Sequence, residues 1–140
     1  MITKYKYQPT IPYSLHDMVV NEITYNDDEI HLRFDQGYVS LKEPYSRVGG
    51  SITIQGVDFD FVAVMLLNKN GTYGEFKGCK LSLNEFLEKY DTYEFEIVDE
   101  MYGYNSVEYS GFLSAPYHDD FIEMILSIYH FGDIVYETDE

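Results

Sequence analysis

The sequence predicts a mainly β (α+β) fold. A curled antiparallel sheet forms a barrel or sandwich, with one short helix packed against it. Three observations predict it. The chain carries 15 Tyr and 9 Phe but no Trp, and these rings favour pleated, half-buried surfaces. Several short runs alternate apolar and polar residues, the period of a strand with one face buried. Only one segment carries a complete helix-start signal.

The elements follow in order. Residues 19–25 and 29–35 flank Asn26-Asp27-Asp28 and read as a β-hairpin. In the second run Ile30, Leu32 and Phe34 alternate with Glu29, His31, Arg33 and Asp35. Gln36-Gly37 turns the chain into a strand at 38–41. Residues 44–50 are a loop leading to a strand at 51–55. Residues 59–67 are apolar on both faces, the pattern of a central strand. Asn68-Lys69-Asn70-Gly71 is a turn, and 73–80 is the returning strand, weakened by Gly74 and Gly78. Residues 82–90 are the helix. Ser82 and Glu85 have the capping-box spacing, and Leu83, Phe86, Leu87 and Tyr90 share one face. Strands follow at 93–97 and 107–113. Residues 121–130 read as a strand because Ile122, Met124, Leu126 and Ile128 share one parity, although Ile122, Ile125, Leu126 and Tyr129 also form a helical stripe. Phe131-Gly132-Asp133 turns the chain into a last strand at 134–136. With no linker, repeat or low-complexity tract, the 140 residues are expected to form a single domain, 1–140.

The net charge is −16, and its placement is one-sided. From Asp91 to Glu140 there are thirteen acids and no Lys or Arg. Phosphate contact needs cations, so nucleic acid and anionic membrane surfaces are unsuitable partners. A basic protein is the electrostatically complementary one. The alternative is that the acids only keep the protein in solution. Cys79 is the single cysteine, which excludes an internal disulfide and suits a reducing, cytoplasmic setting. The N-terminal residues lack the apolar core of a signal peptide.

Three constellations are candidates for function. Glu94, Glu96, Asp99, Glu100 and Glu108, with Tyr102 and Tyr104 in the connecting segment, would form an acidic, Tyr-bearing surface if their strands are neighbours. Ser14-Leu15-His16-Asp17 and His118-Asp119-Asp120 offer imidazole and carboxylate ligands. His16, Asp17, His118, Asp119 and Asp120 would make a divalent-metal site if the two clusters meet. The simpler readings are a Ser14-capped helical turn and a solvated polar turn. Cys79 reads as a small buried hydrophobe, His31 as exposed and His130 as partly buried. Phosphate-binding glycine loops, a Gly-x-Ser-x-Gly elbow and a Cys-x-x-Cys pair are missing.

Pro12-Tyr13-Ser14-Leu15-His16-Asp17 followed by a hairpin, and His130-Phe131-Gly132-Asp133-Ile134-Val135-Tyr136 near the other end, resemble small bacterial domains. Size and charge are similar to those of immunity proteins that neutralise bacterial toxins. No catalytic residues can be carried over from it. The expected function, motivated by the one-sided charge, is a non-enzymatic binding protein without a cofactor, of which immunity-like neutralisation is the most concrete version. A metal or small-ligand site, or a structural part of a larger assembly, are the other functions considered.

Overall fold

The computed structural model describes residues 1–67, 78–116 and 121–140. The elements run β1 (Ile2–Tyr5), β2 (Tyr13–Ser14), β3 (Met18–Tyr25), β4 (Glu29–Phe34), β5 (Tyr38–Ser40), β6 (Arg47–Val48) and β7 (Gly50–Gln55). A 3₁₀ turn (Phe59–Phe61) precedes β8 (Ala63–Leu67) and β9 (Gly78–Leu81). Helix α1 (Leu83–Lys89), β10 (Glu94–Tyr102), β11 (Ser106–Ser114), β12 (Ile122–Tyr129) and β13 (Ile134–Thr138) complete the chain. Ten strands form one antiparallel sheet in the order β1-β13-β7-β4-β3-β10-β11-β12-β8-β9, and β2, β5 and β6 form a second, small sheet.

Local chemistry explains the hairpins. The Asn26 side-chain oxygen accepts hydrogen bonds from the backbone N–H groups of Asp28 (3.3 Å) and Glu29 (3.1 Å), which closes the β3–β4 turn. The alternation of β4 and β12 then buries Ile30, Leu32, Phe34, Met124, Leu126 and Ile128. Segment 121–130 is therefore a strand. It is hydrogen-bonded to β11 on one side and β8 on the other, and this pairing overrides the helical stripe it also carries.

The long sheet folds back on itself without closing, which makes the molecule sandwich-like. Tyr5 on edge strand β1 meets Tyr102 on β10, five places away in the sheet, with ring centroids 5.3 Å apart. A bridge between Val57 and His130, and a hydrogen bond from Asp58 N–H to the Tyr129 carbonyl (3.0 Å), tie the two halves at one end. The α1 capping box forms: Ser82 Oγ accepts from Glu85 N–H at 3.1 Å, and Glu85 Oε1 accepts from Ser82 N–H at 2.9 Å. Phe86 is fully buried against Tyr90 and Tyr93. The Tyr93 hydroxyl accepts the Ile23 N–H at 2.6 Å, which fixes the helix exit to β3.

Several expectations change. Residues 59–67 do not form one central strand. Asp58 caps a 3₁₀ turn by accepting from Asp60 N–H, and the strand that follows is second from the sheet edge. Cys79 is exposed rather than buried because β9 is the edge strand. Segment 14–17 is a strand end and a tight turn, not a helical turn. Asp17 takes a φ of 64°, and Met18 N–H bonds to the Leu15 carbonyl. The 44–50 loop contains β6, and β1 was not anticipated. His31 is half-buried, its Nδ1 2.9 Å from Thr53 Oγ1, and His130 is buried with Nδ1–H donating to the Gly132 carbonyl at 3.0 Å. The turn expected at 68–71 and most of the returning strand lie outside the described residues. Among the described residues, no helix is long and apolar enough to cross a membrane.

Candidate functional site

The site is built on β10, whose alternation breaks once. Glu94 and Glu96 point outward, while Phe95 and Ile97 are buried. The register with β11 then shifts between Ile97 and Asp99, so Val98 is an extra residue, a β-bulge. Beyond it the parity is inverted. Asp99 and Met101 are exposed, while Glu100 and Tyr102 turn toward the interior. Gly111 lies opposite the bulge. A Cβ there would collide with the Glu96 carbonyl oxygen, so the close approach requires glycine.

Residues 15–17 fasten the bulge. Leu15 N–H donates to Glu100 Oε2 at 2.9 Å, the His16 ring Nδ1 meets the Val98 carbonyl at 2.5 Å, and Asp17 N–H donates to the Ile97 carbonyl at 2.7 Å. The Val98 carbonyl, then Asp17, raises the His16 pKa above its ordinary value. His16 Nε2 stands 3.4 Å from the Asp17 carboxylate. This pair therefore clasps a strand.

The outward face of β10, β11, β12 and β8 carries Glu94, Glu96, Asp99, Glu108 and Glu123. The register places these side chains in rows. Val19, Glu96, Phe112, Glu123 and Leu67 form one; Asp99, Ser110, Ile125, Met65 and Lys80 form the next. Phe112 and Phe121 meet edge-on with centroids 4.9 Å apart. Val19, Glu94, Glu96, Phe112, Ser114 and Phe121 line one groove. No Lys or Arg among the described residues forms an ion pair with any of the five acids. Glu123 was missed by sequence reasoning, although its parity with Ile125 and Ser127, opposite to the buried set, marks it as outward.

The remaining members of the expected surface lie elsewhere. Glu100 and Tyr102 face inward. The Tyr102 hydroxyl donates to Glu100 Oε1 at 2.6 Å, and burial raises the Glu100 pKa above its ordinary value despite this bond and the one from Leu15. Tyr102 joins a tyrosine-rich interior. Tyr13 and Tyr136 stand 5.1 Å apart, Tyr13 and Tyr38 5.0 Å apart. The Tyr109 hydroxyl is fully buried with no hydrogen-bond partner among the described residues, and burial raises its pKa. Tyr104 is exposed in the turn after β10, edge-on to Tyr7 at 6.3 Å.

His118, Asp119 and Asp120 lie outside the described residues, so the expected meeting of two His/Asp clusters has no described geometry. Among the described residues no group of three or more His, Cys, Asp or Glu side chains is placed to hold a metal ion. No protein-family model, curated protein or solved structure matches the chain.

Proposed function

We propose that this chain is a non-enzymatic binding protein. It engages a basic protein partner through the outward face of β10, β11 and β12. Neutralisation of a basic bacterial toxin, in the manner of an immunity protein, is the most concrete version. A reducing, cytoplasmic compartment suits the single exposed thiol of Cys79.

One observation carries this reading. Glu94, Glu96, Asp99, Glu108 and Glu123 share a face with Phe112, Ile125, Met65 and Met101, and no cation among the described residues pairs with those acids. Acids kept only for solubility are ordinarily interspersed with cations and kept apart from apolar patches. Acids around an apolar centre supply both steering charge and contact area for a cationic partner.

The test is affinity capture on the immobilised chain, washed at rising salt and repeated with a Glu94→Lys, Glu96→Lys, Glu108→Lys variant. The expected result is a basic protein that binds the native chain, elutes with salt, and is lost from the variant. A partner retained equally by both, or no basic protein in the eluate, removes the assignment.

A further inference from the structure

Resting on the reading above, we infer that the groove between β3, β10 and β11 is the anchor point of that face. Its occupant is an arginine side chain of the partner, seated on the Phe112 ring with its guanidinium held by Glu94 and Glu96.

Phe112 is directly opposite Glu96 on β10 and Glu123 on β12, so a carboxylate stands on either side of the ring. Val19 of β3 is directly opposite Glu96 on its other side. Glu94 is two residues back on the same strand face, about 7 Å along it at the usual strand rise. Phe121 closes against Phe112 edge-on at 4.9 Å, and Ser114 completes the lining. The groove therefore has an aromatic and aliphatic floor and a rim of carboxylates. None of Glu94, Glu96 and Glu123 is in an ion pair with a described residue.

The chemistry of the floor selects the occupant. An aromatic face attracts a cation electrostatically, and the acids add Coulomb attraction and hydrogen-bond acceptors. Arginine suits both parts better than lysine. Its planar, weakly hydrated guanidinium stacks on a ring and presents several donors in a fixed fork, while its methylene stem covers Val19. An acidic or neutral side chain would leave the carboxylates facing either repulsion or lost water.

The probe is N-acetyl-arginine-N-methylamide, titrated into the labelled 140-residue chain and followed by NMR. The citrulline analogue, which has the same shape without the charge, is the control. Saturable shifts are expected at the Phe112 and Phe121 ring protons and the Glu94 and Glu96 amides with arginine, and none with citrulline. Glu94→Gln with Glu96→Gln should abolish the shifts, and Phe112→Leu should weaken binding about threefold, the size of an exposed cation–π contact. Phe112→Tyr, which keeps the ring, should restore it and controls for folding. Equal shifts from citrulline, shifts spread over the whole acidic face, or unchanged affinity in Phe112→Leu would each overturn the anchor. These failures leave the broader reading intact if the captured partner is still lost from the charge-reversal variant. A seated arginine with capture unaffected by charge reversal would instead sink the broader reading and keep the groove.

Discussion

On the outward face of β3, β4, β7 and β13, charges of both signs are interspersed with hydroxyls. Glu22 meets Arg33 at 3.7 Å, His31 lies between Thr53 and Glu29, and the cross-strand row Glu22, Arg33, Ser51, Glu137 alternates acid, base and hydroxyl. On the outward face of β10, β11, β12 and β8, five acids surround Phe112, Ile125, Met65 and Met101, and the cation of the two rows is Lys80 on edge strand β9. Both faces belong to one antiparallel sheet. The difference lies in what the side chains leave unpaired. The first face pairs Glu22 with Arg33 and Glu29 with His31, and its exposed ion pair is worth at most about 1 kcal/mol. The second keeps its field and its apolar area available to another molecule.

The largest expected effect comes from the device that shapes the second face. Deleting Val98 removes the bulge and restores simple alternation. Asp99 and Met101 would stay outward and Glu100 and Tyr102 inward, because Ile97 and Asp99 become neighbours in simple alternation, but residues 15–17 would lose the extra backbone unit they fasten. A buried donor or acceptor left without its partner costs about 1–3 kcal/mol, so the variant should melt below the native chain. An unchanged melting temperature would show that the 15–17 clasp adds nothing to stability beyond what the β11 pairing supplies.

Charge reversal compares the faces directly. Glu94→Lys with Glu96→Lys should slow association with the captured partner at least about tenfold at low salt. Glu22→Lys with Glu137→Lys on the other face should change it by less than about twofold. Similar losses from both pairs, read by surface plasmon resonance, would mean that net charge rather than the face governs encounter.

Glu100 gives a pH test. Burial raises its carboxyl pKa in the folded chain. Its contribution to stability is therefore fully present below the unfolded value and is lost as pH rises through the folded one. Gln does not titrate. The stability of Glu100→Gln relative to the native chain should thus improve as pH climbs from below the ordinary carboxylate range to above it. A difference that is flat with pH, measured by urea unfolding, would contradict the burial account.

The smallest effects separate two interior hydroxyls. Tyr109→Phe removes a group without a described partner and should leave stability within about 0.5 kcal/mol or raise it. Tyr102→Phe takes a 2.6 Å donor from Glu100 and should cost about 1–2 kcal/mol. Equal losses would mean that the Tyr109 hydroxyl is hydrogen-bonded in solution.

Much of the fold is legible in the sequence. The 26–28 turn, the alternation of β4 and β12, and the Ser82–Glu85 box are local features whose chemistry acts within a few residues, and each takes its expected form. The second-half acids were legible as charge. Glu94 and Glu96 were legible as outward-facing because they alternate with Phe95 and Ile97. What failed was the extension of that alternation to Glu100 and Tyr102, because one inserted residue changes every later side chain's face. The signals for the insertion are Gly111 on the neighbouring strand and Leu15-His16-Asp17 some eighty residues earlier. Neither can be paired with Val98 before the strands are placed. Position within the sheet misled in the same way. Residues 59–67 read as one central strand and Cys79 as buried, but β8 and β9 lie at an edge of the sheet.

By itself, then, the sequence determined a β-rich chain with one capped helix and an uncompensated negative second half. Propensity, caps, turns and charge act within a few residues or are simple sums over them. Only the tertiary structure decided which acids face outward together, that Phe112 stands between Glu96 and Glu123, and that His16 and Asp17 clasp a bulge. Each of these depends on register between strands far apart in the chain, and register is set by the pairing of whole strands rather than by any one of them.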